Sequence, residues 1–275
     1  MAKVSYPHYA WAGGHFIVLA SSLYTFLGLI TFSTRDKSYY VAYAGALISW
    51  GIVVYKSLGP PTLSRAWLQR ALLDENVQYL LLAGWWFVQK PITLTLLPFC
   101  TFSLFHTLTF LRTSVLPKVP SPTPGQKKSA TGTPAATATA SGVPDAPGVK
   151  VSRGIQTWVK AHYEQAMLFV AFIEVVGVFG RLLLGAITFQ NSLLSPLFFA
   201  HFLRLRYYLS PPTRQAFAWV NGQIDEKVVK NSKVPQGVRK GVGMGRELIA
   251  RYAESIISVQ QPQPGAGAAE AHRAR

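Results

Sequence analysis

Apolar residues along this chain fall in long uncharged runs broken by short polar turns, not in the alternating pattern of a soluble domain. His15 to Phe32 and Tyr39 to Tyr55 contain no charged residue, and each approaches the roughly 20 residues that a helix needs to cross a hydrocarbon core. Only "STRDKS" separates them, which predicts a helical hairpin with both ends on one side of a membrane. The next segment, "LGPPTLSRAWLQRALLDEN", repeats Leu63, Trp67 and Ala71 at helical spacing, with Arg65, Gln69 and Glu75 around the rest of the wheel. That pattern predicts an interfacial helix.

From Val77 to Leu111 the chain is apolar again except at "QKP", Gln89 to Pro91. As one helix this run would reach about 52 Å, too long for a single pass and slightly short for two. Pro91 cannot continue a helix without losing a hydrogen bond, so a second hairpin of two short or shallow helices is expected. A third is expected from about Ala166 to Leu205, broken at "QNSLLSP". "LLPFCTFSLFHTLTFLR" and "LSPLFFAHFLRLR" share a proline, following aromatic residues, one histidine and a terminal arginine. Duplication and coincidence both account for so short an echo.

These elements predict an all-α integral membrane protein built from helical hairpins, with four to six membrane segments and cytosolic amphipathic helices. The expected boundaries are a first hairpin with its leading segment over 1–58, an interfacial helix over 59–76 and a second hairpin over 77–112. A disordered linker follows over 113–160, then a third hairpin over 161–209, basic amphipathic helices over 210–260 and a disordered tail over 261–275. The linker, rich in Pro, Ala, Thr, Ser and Gly, lacks the apolar periodicity needed to offset its ordering entropy.

Composition agrees with a membrane protein: 49% of the 275 residues are hydrophobic and 14% charged. The first run is span-length and lacks a small-residue cleavage site, so it is read as retained and not as a signal peptide. The net charge of +16 is uneven. Seven Lys/Arg against one acid lie between Arg112 and His162, and twelve against five from Arg204 onward. Basic flanks mark the cytosolic side, which places both regions, and both termini, in the cytosol. A single cysteine, Cys100 in an apolar run, rules out a disulfide within the chain.

Few residues offer chemistry. Glu174 and Arg181 interrupt the third apolar region seven residues apart, about 10.5 Å along a helix axis. A charge at mid-membrane costs roughly 2.5–3.5 kcal/mol or more, so each must find a partner, turn inward or reach an interface. Gln165, Asn191 and His201 are candidate partners. One reading is an ion or proton pathway in a transporter or channel subunit; the other is a polar contact between helices, in which His106 and His201 would share. The six histidines show no metal-ligand spacing, and no nucleophile elbow, phosphate loop or dinucleotide fingerprint occurs. No enzyme, metal or cofactor is expected.

The carboxyl-terminal region carries two apolar stripes. Phe217, Val220 and Ile224, with Trp219 beside them, form the first; Val242, Ile249, Tyr252 and Ile256 form the second, flanked by Arg239, Lys240, Arg246 and Arg251. Such helices bind anionic bilayer surfaces or pack on one another. Lipid, particularly anionic lipid, is the expected partner, and no nucleic acid is. The basic connector "KVVKNSKVPQGVRK" also has the character of an importin signal.

"NVQYLLLAGWWFVQKPITLTLLPFCTFSLFHTLTFLRTSVL" and "FFAHFLRLRYYLSPPTRQAFAWVNGQID" resemble the transmembrane protein 33 family, most closely at Pro98, Ser103, His106, Arg206 and Tyr207. That family includes Krüppel homologue 2 in animals and, in fungi, a pore-membrane nucleoporin and a tetra-spanning endoplasmic-reticulum protein. The resemblance implies a multi-pass protein of the endoplasmic reticulum and nuclear envelope. It also implies work with reticulon-type proteins in membrane shape and with nucleoporins in pore distribution.

Overall fold

The computed structural model describes residues 6–62, 64–116 and 147–257, and among them every regular element is helical. Two compact units divide the chain, residues 1–213 and 214–275.

The first unit begins with α1 (Tyr6–Ile30) and α2 (Asp36–Leu58) as an antiparallel pair. Ala12, Gly14, Val18, Ser22, Ala42, Gly45, Ala46 and Ser49 are buried between or beside them. With no hydrophobic force between helices in lipid, such small side chains let backbones approach and gain dispersion contact. A β-carbon at Gly45 would lie 2.8 Å from the Gly14 carbonyl oxygen, so this crossing requires glycine. Ser49 Oγ donates to the Trp11 carbonyl across the same seam.

Short helix α3 (Arg65–Leu73) starts at Ser64, whose hydroxyl accepts from the Trp67 amide. Ala71 is its one buried residue, while Leu68, Leu72 and Leu73 are exposed. An apolar face open to the surroundings is what an interfacial helix presents to lipid. Helix α4 (Glu75–Val88) is capped by Asp74, which accepts from the Asn76 and Val77 amides.

Helix α5 (Leu96–Phe110) is lengthened by a 3₁₀ turn at Thr93–Thr95 and a π turn at Leu111–Val115. The second hairpin is therefore uneven and not a pair of short helices. Its first limb, at 14 residues, reaches about 21 Å, and its second forms a 23-residue candidate span over Thr93–Val115.

The third hairpin is uneven too. Helix α6 (Pro147–Phe172) continues through a π segment (Ile173–Val178) into α7 (Phe179–Ile187), and α8 (Leu194–Leu209) returns. Helix begins at Pro147, inside the stretch expected to be linker up to residue 160; Val151, Ile155 and Trp158, at steps of four and three, already carry a helical stripe there. The rest of that linker, residues 117–146, lies outside the described residues.

Among the described residues, four helical stretches are long and apolar enough to cross a membrane: Tyr6–Ile30, Asp36–Leu58, Thr93–Val115 and Gly148–Ile187. The last, 40 residues long, would measure about 60 Å, twice the hydrocarbon thickness. It cannot lie wholly within that layer along the membrane normal.

All three hairpin turns gather at one end of the unit. Tyr40 Oη donates to the Gln89 carbonyl at 3.1 Å, Tyr43 Oη donates to Thr95 Oγ1 at 2.7 Å, and one cavity is lined by residues of both the 89–92 and 189–192 turns. The opposite end holds the start of α1, through His8 against Ser114, and the end of α8, through Arg206 and Glu75.

The first and third turns are built alike. Gly28-Leu-Ile-Thr-Phe32 and Gly185-Ala-Ile-Thr-Phe189 each end a helix with a left-handed phenylalanine, φ 49° and 57°. In each, the next amide bonds back five residues to the glycine carbonyl, Ser33 to Gly28 at 2.9 Å and Gln190 to Gly185 at 2.7 Å. In each, the threonine hydroxyl bonds back four residues. Glycine is the usual occupant of this cap. Phe32→Gly and Phe189→Gly are thus expected to raise stability in detergent by about 0.5–1 kcal/mol each, read as an upward shift in thermal unfolding.

The second unit contains most of α9 (Pro211–Ile224), a π segment (Asp225–Val229) and α10 (Gln236–Ile257). Arg246 of α10 ion-pairs with Asp225 and donates to the Asn221 carbonyl at 3.0 Å, which folds α10 back on the end of α9.

Candidate functional site

Among the described residues of the first unit, Glu174 is a fully buried carboxylate, with a side chain 0% exposed. It sits in the π segment between α6 and α7, where a locally widened turn re-aims side chains, as at many functional sites. Tyr79 of α4 donates its hydroxyl to Glu174 Oε1 at 2.7 Å. Arg206 of α8 places Nε 4.0 Å from Glu174 Oε2, within ion-pair reach but too long for a hydrogen bond.

The same guanidinium meets Glu75 at 3.1 Å, donates to Ser210 Oγ at 3.4 Å and lies 5.4 Å from the centre of the Tyr79 ring. Phe99, Phe102 and Phe202 pack their rings on Tyr79. Four elements are thereby tied at one point: α4, α5, the π segment and α8.

Such an arrangement holds charge; it is poorly suited to moving it. Glu174 Oε1 accepts from a neutral phenol, while Oε2 has no hydrogen bond and faces at 4.0 Å a cation shared with a second carboxylate, so its desolvation is offset only in part. Glu75 is half exposed, which makes its pairing with Arg206 the weaker half of the cluster.

A second polar seam joins the first two hairpins. His15 Nδ1 lies 3.0 Å from Ser103 Oγ, and its ring stacks on His106 with centroids 4.5 Å apart. Trp11 and Trp50 pack edge-on against His15. His106 of α5 thus stacks on His15 of α1, a partner not foreseen. His201 is exposed on α8 and is not placed in the Glu174 cluster.

Arg181 does not join Glu174 either. It points along α7 toward the hairpin turn, where Nη2 donates to Gln190 Oε1 at 3.2 Å. Of the partners considered for the two charges, Gln165 is exposed and Asn191 shares the turn with Arg181. Tyr79 and Arg206 are the residues that sequence reasoning missed. Among the described residues, no group of three His, Cys, Asp or Glu side chains is placed to hold a metal ion.

In the second unit, Phe217, Val220, Ile224 and Val242 are part-buried and Trp219 is half exposed. Arg246 is engaged with Asp225, Arg251 pairs with Glu247 one turn before it, Arg239 donates to the Val234 carbonyl at 3.1 Å, and Lys240 is exposed. The side chains of Ile249, Tyr252 and Ile256 lie outside the described residues.

The family described as Transmembrane protein 33/Nucleoporin POM33 matches residues 2–255. The chain belongs to this family. It is 28% identical over 269 residues to tetra-spanning protein 1 of Schizosaccharomyces pombe, covering 96% of this chain and 90% of that protein. It is 30% identical over 268 residues to nucleoporin POM33 of Chaetomium thermophilum, covering 94% and 90%. Against the pore membrane protein of 33 kDa of Saccharomyces cerevisiae it is 25% identical over 271 residues, covering 94% and 88%. No solved structure matches. Membership in the Transmembrane protein 33/Nucleoporin POM33 family and four span-length helices establish a multi-pass membrane protein.

Proposed function

We propose that this protein is a non-enzymatic shaper of the endoplasmic-reticulum and nuclear-envelope membrane that also helps to organise nuclear pores. The observation that carries the reading is the asymmetry of the first unit. One end is closed by three tight turns, 31–35, 89–92 and 188–193, while α3 lies at the other, between the end of α2 and the start of α4. An amphipathic helix adds area to the leaflet that it enters, so α3 widens the first unit at the end opposite the turns. The basic flanks Arg65, Arg70 and Arg112 lie on that side, which supports a cytosolic facing for it, and the basic tail supports cytosolic termini. A broad cytosolic end and a narrow lumenal one favour curvature toward the cytosol.

Two relatives carry nucleoporin or pore-membrane names, which supports the pore role and nucleoporins as partners. Reticulon-type proteins are partners of the same kind, since they work on the same curved membranes. The basic connector at 227–240 is the segment offered to importins, and anionic lipid is the partner of Lys240 and the exposed tail surface. The enclosed Glu174 cluster supports a fastening role for that residue over an ion pathway.

The test is reconstitution of the purified full chain at increasing density into spherical liposomes, viewed by electron cryomicroscopy. Tubules or small high-curvature vesicles are expected, with a loss of roughly half the effect or more when Leu68 and Leu72 are both changed to Glu, because each charge would oppose burial of the α3 apolar face. Spheres that stay unchanged at every density would overturn the reading.

A further inference from the structure

At the turn end of the first unit a cavity of about 610 Å³ opens between the second and third hairpins, lined by Trp86, Lys90, Arg181, Phe189, Gln190 and Asn191 among others. Two of the lining residues are cations and none is an acid. The volume lies in the range of small-molecule sites.

The cavity is built around Arg181. A β-carbon at Gly185 would lie 2.6 Å from Arg181 Nη1 and would overlap the Asn191 side chain. The missing methyl is therefore what lets the arginine fold back over its own helix toward the turn. Asn191 is held in place by donating from Nδ2 to the Leu182 carbonyl at 3.2 Å. Arg181 donates to the neutral amide of Gln190, and among the described residues no carboxylate pairs with it.

The related turn shows the contrast. Arg35 also lies over the corresponding glycine, Gly28. Its guanidinium, however, rests 4.0 Å from the centre of the Tyr24 ring, and Asp36 lines the same smaller cavity of about 290 Å³. One arginine has a π face and a nearby carboxylate; the other has neither.

Around the larger cavity the exposed surface is apolar. Ile187, Phe189, Leu193 and Leu194 are all open, Phe189 at 87% and in its left-handed conformation. A ligand with an anionic head and hydrocarbon tails matches both halves of this surface. Guanidinium binds phosphate oxygens in a paired geometry that a carboxamide cannot supply.

We infer that the cavity between the 89–92 and 188–193 turns binds a phosphate group, with Arg181 as its principal ligand and Lys90 as the second cation, and that the phosphate is the head group of an anionic phospholipid. Phe189 and the neighbouring leucines lie along the acyl chains.

Native mass spectrometry of the full chain in an uncharged detergent tests this. Dioleoyl phosphatidic acid, dioleoyl phosphatidylcholine and inorganic phosphate serve as separate probes. Wild type is expected to retain phosphatidic acid in preference to phosphatidylcholine, and Arg181→Gln to weaken that retention by about tenfold. Lys90→Gln, on an exposed turn where folding is not at stake, should weaken it less but measurably. Arg35→Gln and the tail change Arg239→Gln with Lys240→Gln should leave this Arg181-dependent retention intact, which separates the site from any binding at the tail. If inorganic phosphate alone shows the same Arg181 dependence and displaces the lipid, the phosphate site stands and its source is a soluble anion. Equal retention of phosphatidic acid by wild type, Arg181→Gln and Lys90→Gln, or no preference over phosphatidylcholine, overturns the inference.

Discussion

Replacing Arg206 with leucine is expected to be the most damaging single change at the Glu174 cluster, lowering stability by about 3–5 kcal/mol, because it leaves a fully buried carboxylate without its cation. The reading is thermal unfolding of the detergent-solubilised protein, followed by the loss of its monodisperse elution peak. Glu174→Gln should be milder. Its amide keeps the geometry for Tyr79, and Arg206 retains Glu75 at 3.1 Å. A triple change of Tyr79→Phe, Glu174→Leu and Arg206→Met should recover most of the loss, since well-packed apolar side chains replace buried ion pairs at little cost. If Arg206→Leu were neutral, the 4.0 Å approach between Arg206 and Glu174 would not be a stabilising contact.

That cluster also shows where sequence reading reached and where it stopped. The three hairpins were legible because length, proline and charge each constrain the same few breaks. "QKP" and "QNSLLSP" read as turns because each interrupts an apolar run with polar residues and a proline. For Glu174 the sequence left three outcomes open, a partner, an inward turn or an interface, because a lone acid in lipid has few others.

Its partners were not legible. Tyr79 lies 95 residues away and reads as one more aromatic near a membrane boundary, while Arg206 reads as a basic flank in "FLRLRYY". Only packing of α8 on α4 brings the two to Glu174, and helical periodicity carries no information on which face of one helix meets which face of another.

The proline echo acquires a physical meaning from the fold. Pro196 is the third residue of α8, where the missing N–H has no intrahelical acceptor to lose, and Pro98 is the third residue of α5, just after the 3₁₀ turn at Thr93–Thr95. A plainer echo, Gly28 to Phe32 with Gly185 to Phe189, was visible in the letters but sits at turns, where apolar periodicity is silent. Its two left-handed phenylalanines would be unexpected from any propensity, because glycine or asparagine normally fills that place. The early start of α6 was hidden by composition. Pro, Ala, Thr and Gly run up to Gly148, and the helical stripe from Val151 onward is short enough to be taken for their continuation.

The second large effect is expected at a pair of adjacent glycines with opposite surroundings. At Gly13 a β-carbon would meet nothing within 4 Å. Gly13→Ala should therefore be neutral or stabilise by up to about 1 kcal/mol, the difference in helix propensity. At Gly14 the same methyl would lie 2.7 Å from the Gly45 carbonyl oxygen and would overlap the Ser49 hydroxyl. Backbone atoms of α2 cannot step aside as a flexible side chain can, so α1 and α2 would have to separate along the seam that also carries the Ser49 to Trp11 hydrogen bond. Gly14→Ala is expected to cost about 1–3 kcal/mol, the usual penalty for overpacking, and Gly14→Leu more. Thermal unfolding of Gly13→Ala and Gly14→Ala in the same detergent measures the contrast. Because the two positions share lipid depth, helix propensity and sequence neighbourhood, a large difference between them isolates backbone proximity as the cause. Equal behaviour would mean that the first hairpin is held by its tyrosines and histidines alone, with the close crossing at Gly14 and Gly45 contributing nothing.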